Sequence, residues 1–257
     1  GNLGYWYRLI KKIPKFENTQ ISTAYFFQGF YGTKIEGIED CDFSKNGVGT
    51  ANKNFSKMFY QCSNLTHLKL NKWDMSNVTN ISYMFSTCSA LTNLEIDEWS
   101  VNNVTDMSNL FNGCKKLTMI DLNKWNVSEV TTLLYTFSGC SALASLNIKN
   151  WDVSKVTTLN SAFQSCSSLK ELDLSGWVTS NVTNTAATFA GCTSLQKLDI
   201  RNFDFSKVTT TMNMFGRDGT YVPADCEIIV KDDTARNWVL NVRNDFTNVK
   251  TVAELGA

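Results

Sequence analysis

The sequence predicts an α/β solenoid: a stack of 26-residue strand–helix units closed by a cap at each end. Three observations predict it. A twelve-residue phrase running from cysteine to tryptophan recurs at a fixed interval of 26 residues. The apolar period changes inside each unit from two to that of a helix. The period then fails at both ends of the chain.

The phrase reads CSNLTHLKLNKW at 62, CSALTNLEIDEW at 88, CKKLTMIDLNKW at 114, CSALASLNIKNW at 140 and CSSLKELDLSGW at 166. A sixth copy, CTSLQKLDIRNF, stands at 192 with Phe203 in place of tryptophan. Self-similarity at a fixed period of this length marks a stack of supersecondary units. Aligned on cysteine, the copies share columns such as Phe85–Phe111–Phe137, Leu91–Leu117–Leu143 and Val104–Val130–Val156, with Thr105, Thr131 and Thr157 beside the valines. One unit reads F-x-x-C-x-x-L-x-x-L-x-L-x-x-W-x-x-S-x-V-T.

Each unit divides by period. Leu68 and Leu70 alternate with polar residues, as do their counterparts, which predicts a short strand with one face buried. Val78, Ile81, Phe85 and Cys88 then fall at offsets of zero, three, seven and ten, which predicts one face of a helix. Ser76, and Ser or Asn in the same column of every copy, suits its N-cap. Neither piece buries its apolar side alone, so units must stack.

Residues 58–215 hold the six regular units. Residues 1–57 contain YFFQGF and IEDCDFS, decayed fragments of the unit, and are expected to form an N-terminal cap. Residues 216–257 are expected to form a C-terminal cap, with a turn and strand in GRDGTYVPADCEIIVKDD and a helix capped by Asp233 or Thr234. The whole is expected to be one continuous domain and a monomer.

Lys plus Arg equals Asp plus Glu, at 24 each, so no global field favours nucleic acid or an anionic membrane. No apolar run reaches the roughly 20 residues of a membrane span. The N-terminal GNLGYWYRLIKKIPKF lacks a signal-peptide hydrophobic region. No phosphate loop, nucleophile elbow or His-based metal motif is present, and an enzyme, a metal or a cofactor is not expected.

The eight cysteines admit three chemistries. Metal binding needs four convergent ligands, whereas one thiol per coil makes a line. Bridges between coils are permitted by distance, because a spacing of about 4.8 Å falls inside the Cα range for a disulfide. Ladder side chains point the same way, however, and free cysteine is among the most buried residue types, which favours buried reduced thiols. Cys41 and Cys226 lie in opposite caps and are expected to be unpaired. The tryptophans are expected in a buried corner, since Phe203 takes the same place. The threonines beside the valines suit a hydroxyl ladder. The seven N-x-S/T sequons fall out of the repeat and do not argue for glycosylation.

The residues flanking the central leucine of each strand vary from copy to copy, and a repeat protein binds with columns that vary. The candidate protein-binding face comprises His67, Lys69, Glu95, Asp97, Asp121, Glu171, Asp173, Lys197, Asp199 and Arg201. Glu95, Asp121, Asp173 and Asp199 share one column, which reads either as a solvated strand face, the favoured reading, or as an attraction for a basic partner or a loosely held calcium ion. The face holds no aromatic residue, which disfavours a carbohydrate there.

The F-x-x-C-x-x-L-x-x-L-x-L core and the W-x-x-S-x-V-T turn resemble the repeat of BspA-like bacterial leucine-rich-repeat surface proteins and of the related lipoprotein-associated repeat family. VPADCEIIVKDDTARNWV resembles that family's C-terminal closure. The resemblance implies a right-handed leucine-rich-repeat solenoid, an exported bacterial protein at the cell surface or secreted, and adhesion through a host or surface protein ligand. The competing expectation is a structural spacer that holds another domain away from the cell and has no ligand of its own.

Overall fold

A computed structural model describes residues 54–71 and 73–256, together with the backbone of one earlier strand. Apart from that strand and its last four residues, the expected N-terminal cap over 1–57, with Cys41, lies outside the described residues.

The chain winds into a β-solenoid. Strands β1 (Gly37–Ile38), β2 (His67–Lys69) and β3 (Asn93–Glu95) form one parallel sheet, in which Leu68 pairs with Leu94. Strands β4 (Glu171–Asp173) and β5 (Lys197–Asp199) begin a second. A two-stranded hairpin, β6 (Gly216–Arg217) and β7 (Thr220–Tyr221), follows the last coil. Strand β8 (Glu227–Val230) then pairs in parallel with β5, and β9 (Val249–Thr251) pairs with β8. The C-terminal segment thus adds two further rungs to the second sheet and closes it. Between β8 and β9 runs helix α1 (Asp233–Val242), and a 3-10 turn, Val252–Leu255, ends the fold. Asp232 caps α1 by accepting the Ala235 N–H at 3.0 Å, one residue before the expected cap at Asp233 or Thr234.

The helix predicted after each corner does not form. Residues 78–88 and their counterparts make successive tight turns, and α1 is the one α-helix among the described residues. Their backbone hydrogen bonds explain the difference. Ile81, Tyr83, Phe85 and Thr87 send their N–H groups to Asp106, Ser108, Leu110 and Asn112 of the next coil, at 2.6–3.1 Å. The residues between them bond locally: Met84 to Ile81, Ser86 to Tyr83 and Cys88 to Phe85. Half of the donors that a helix would use internally therefore join one coil to the next. Two positions per coil take positive φ to make this possible, as at Tyr83 and Thr87, Asn109 and Gly113, and Tyr135 and Gly139. Spacing is the physical reason. The stacked Phe column repeats at 5.5–5.9 Å between ring centroids, whereas neighbouring helices need about 8–10 Å. A layer of helices would wedge the coils apart on that side.

Ser76 accordingly caps no helix. Its N–H is accepted by Asp74 Oδ1 at 2.9 Å, and Asn126, Asp152 and Asp204 do the same for Ser128, Ser154 and Ser206. A side-chain oxygen bonding the backbone two residues on mimics a turn and fixes the corner. A second such column, Asn80, Asp106, Thr132, Thr158 and Asn184, sets the next corner. Its members also form a continuous run of parallel bridges from Asn54 to Thr210.

The core is the interior of the stack. Its Leu, Ile, Phe and Cys columns are buried in every described coil, the Val column is buried up to Val182 and half-buried at Val208, and the Trp column is no more than 4% exposed. The indoles stack at 6.1–6.5 Å, and the ladder passes from Trp177 to Phe203. Buried donors find partners between coils. Trp99, Trp125, Trp151 and Trp177 donate Nε1–H to the carbonyls of Leu70, Ile96, Leu122 and Ile148, each 29 residues earlier. Thr105, Thr131, Thr157, Thr183 and Thr209 donate their hydroxyls to the preceding threonine's carbonyl, a hydroxyl ladder along the outside.

Register is what separates core from surface. Leu122 is 1% exposed and Asp121 beside it is exposed. Leu122→Ala is expected to cost about 2–5 kcal/mol in chemical denaturation. Asp121→Asn, which keeps the oxygen that accepts the Asn123 N–H, should stay within about 0.5 kcal/mol. The reverse ranking would mean that the strand faces are inverted.

Candidate protein-binding face

In each strand the central leucine points inward and its neighbours point away from the core. The parallel register stacks these neighbours into columns: His67 lies beside Asn93, Lys69 beside Glu95, and Glu171 beside Lys197 and then Glu227. Lys69, Asp121, Glu171, Asp173 and Lys197 are exposed, and His67, Glu95, Asp97 and Arg201 are half-buried.

Asp199 departs from the expectation of an outward acid. It is 5% exposed. Arg201 folds over it, with Nε 2.9 and 3.0 Å from the two carboxylate oxygens and Nη2 at 2.5 Å. The sheet continues past β5 into β8, where Ile229 is the partner of Asp199, so this position is covered where earlier coils leave it open. Asp199 and Arg201 are committed to each other and are withdrawn from the candidate surface.

Charge across the face is largely satisfied by the face itself. Lys69 lies 3.6 Å from Glu95, Lys149 3.0 Å from Asp173, and Glu227 bridges Lys197 at 3.1 Å and Lys250 at 2.6 Å. Burial pushes the Asp173 carboxyl up, but hydrogen bonds from Ser175 and the Lys149 ammonium outweigh it and hold the group below its ordinary value. Among the described residues, Asp97, Asp121 and Glu171 have no lysine or arginine within ion-pair distance. The column of acids therefore presents isolated charges between neutralised pairs, and not a continuous negative stripe.

The centre of the face has a second distinction. Residues 119–121 and 145–147 are in no strand, so the two sheets are separated by two coils without regular pairing. The Ala144 N–H still reaches the Thr118 carbonyl at 3.1 Å, which keeps the coils in contact beside the gap. Met119, on this stretch, is 69% exposed, while the inward Ile120 and Leu146 are buried to about the same degree as Leu94 in β3. The sequence carried a signal for the Lys69–Glu95 pair, since the two residues share one aligned column. Nothing in the repeat signalled the gap.

The cysteines take no part in a surface. Cys88, Cys114, Cys140, Cys166 and Cys192 each donate S–H to a phenylalanine carbonyl 29 residues earlier, at 3.1–3.2 Å. Burial pushes the thiols of Cys114 and Cys192 up to about 12 and raises Cys88, Cys140 and Cys166 as well. Such groups are poor nucleophiles and poor metal ligands. Among the described residues no cluster of His, Cys, Asp or Glu is placed to hold a metal ion. No helix among them is long and apolar enough to cross a membrane.

A stack of leucine-lined coils around paired aromatic ladders defines the class: a leucine-rich-repeat β-solenoid. The profile of the family described as "Mycoplasma protein of unknown function, DUF285" matches residues 53–145 and 132–250, and the chain belongs to that family. A leucine-rich repeat protein from Eubacterium ventriosum ATCC 27560, known from a crystal structure, is similar at 16% identity with a TM-score of 0.35. That match covers 77% of this chain and 65% of the other, less than two-thirds of its length. No curated protein matches the chain.

Two measurements check the chemistry of these columns. Alkylation in denaturant without reductant is expected to add eight labels by mass, one per cysteine, and loss of labels in pairs would establish disulfides instead. The corner acids give the second. Hydrogen bonds from Ser76, Ser154 and Ser206 hold Asp74, Asp152 and Asp204 below the ordinary carboxylate value of 3.8. A depressed folded-state value stabilises the fold above the unfolded value and ceases to do so as pH falls through the folded one. The denaturation midpoint should therefore hold steady down to about pH 5 and fall below about pH 4. Asp152→Asn, which keeps the acceptor and does not titrate, should fall less steeply.

Proposed function

We propose that this chain is a non-enzymatic protein-binding module of an exported bacterial protein, and that its ligand docks on the strand face at the central coils. One observation carries the reading: the core columns repeat almost without change, while the outward column at 67, 93, 119, 145, 171 and 197 holds a different residue in every coil. On the central coils that face also carries the exposed Met119 and Asp121, and Asp97 and Glu171 on the coils to either side likewise have no cationic partner among the described residues. One apolar anchor and isolated acids suit a protein surface with some basic character. Export and adhesion rest on the resemblance of the repeat to BspA-like surface proteins.

The experiment immobilises the chain and passes extracellular-matrix and plasma proteins over it. Any ligand found is then tested against Asp97→Lys/Asp121→Lys/Glu171→Lys and, separately, Met119→Ser. The charge variant is expected to weaken binding mainly through a slower association rate, an effect that added salt should mimic. Met119→Ser is expected to speed dissociation. The fold should survive both, since these side chains lie outside the core. A ligand indifferent to both variants would remove the site from this face, and absence of any ligand would favour a spacer.

A further inference from the structure

The corner ladder of aromatic rings continues beyond the last coil. Phe203 meets Phe205 at 6.1 Å, and Phe205 stacks on Trp238 at 3.9 Å with the planes 10° apart. Trp238 belongs to α1, so the cap supplies the terminal ring. It differs from the ring column beneath it in two respects. It is half-buried, with no further ring on its outer side among the described residues. Its indole N–H also has no protein acceptor among those residues, whereas four column indoles donate to carbonyls.

Beside this ring a groove of about 950 Å³ opens between the last coils and α1. One wall is the helix. Thr234, Asn237, Trp238 and Asn241 line the groove at offsets of zero, three, four and seven, which is one helical face, with the buried Ala235 at its floor, while Val239 turns into the core. The opposite wall brings Phe205 and Asn202. The charged lining is small and nearly balanced: Lys231 against Asp204 and Asp232. Both acids are also engaged, Asp204 with the Ser206 N–H at 2.9 Å and Asp232 with the N-terminus of α1.

This chemistry selects a ligand class. A charged ligand has no concentrated countercharge here. What the groove offers is the carboxamides of Asn237 and Asn241, with Asn202 already donating to the Ser175 carbonyl, the hydroxyls of Ser206 and Thr234, and an indole N–H, arranged around an aromatic plane. A carboxamide donates and accepts at once, which matches the vicinal hydroxyls of a sugar. The ring face suits the C–H side of a pyranose, with the polar edge wet and the flat face apolar. The volume lies at the upper end for a ligand pocket and holds more than one sugar ring. We propose that the groove between the last coils and α1 is a binding site for a neutral oligosaccharide, with Trp238 as its platform and Asn237 and Asn241 as its hydrogen-bonding wall. The site is separate from the strand face, which has no aromatic floor.

The test is saturation-transfer NMR on the full chain with chitotetraose, cellotetraose, maltotetraose and lactose as probes, followed by titration of any that bind. At least one probe is expected to receive saturation. Asn237→Ala/Asn241→Ala leaves the ring packing intact and should weaken that probe about tenfold, the loss of two neutral hydrogen bonds. Trp238→Phe keeps a stacking face without the donor and should weaken it less than Trp238→Ala. The thermal midpoint of each variant distinguishes a lost site from a lost cap. Asp97→Lys/Asp121→Lys/Glu171→Lys on the strand face should leave sugar binding unchanged, so a failure of the proposed protein ligand and a failure of this site are separable. Silence from all four sugars overturns the proposal. So does binding unaffected by the double asparagine variant, or saturation of a random-peptide pool in the groove with the sugars silent.

Discussion

Everything in this fold depends on the distance from one coil to the next. Backbone N–H groups cross that distance on two sides of the coil: in the strands, and in the turn run where Tyr83, Phe85 and Thr87 donate to the following coil. Peptide hydrogen bonds set a spacing of about 4.8 Å in a strand ladder, and side chains stacked on such a backbone must be flat or small. Phenylalanine and tryptophan stack, threonine hydroxyls and cysteine thiols reach a carbonyl in the neighbouring coil, and leucine fills between. The choice of residue at nearly every column follows from this one repeat distance.

The same constraint decides which parts of the molecule were legible in its sequence. The coil, the buried columns, the tryptophan corner and the threonine ladder were legible because each is stated six times in register. The segment after the corner was misread. Val78, Ile81, Phe85 and Cys88 do face the core, and their spacing matches a helix. The same spacing also fits a run of turns in which every fourth residue takes positive φ. Gly113, Gly139 and Gly191, recurring just before the cysteine, were the available signal, because glycine accepts that conformation at little cost. At Gly191 the reason is also steric, since a Cβ there would stand 3.0 Å from Ser165 Cα.

The candidate face was legible as a set of positions and much less so as a surface. Alternation located the outward residues, but pairing depends on neighbours from other coils. Lys149 reaches diagonally to Asp173, a contact that the alignment does not state. Asp199 is buried because the sheet runs on into the cap, which obeys no repeat. The cap groove was invisible for the same reason. Trp238 in sequence is one more aromatic residue on an amphipathic helix, and only the docking of that helix puts it at the end of the ring ladder.

The indole and thiol bonds span 29 residues, one full coil plus three. Each coil is therefore fastened to its predecessor by contacts that ignore every other coil. Growth of such a molecule is quantised. Duplication of one whole unit restores each ring, hydroxyl and thiol to an equivalent neighbour and lengthens the rod by one rise. An insertion of any other size inside the turn run shifts all of these ladders at once. Genes of this architecture can vary the number of coils freely while holding the length of each one fixed, and the C-terminal closure travels unchanged at its end.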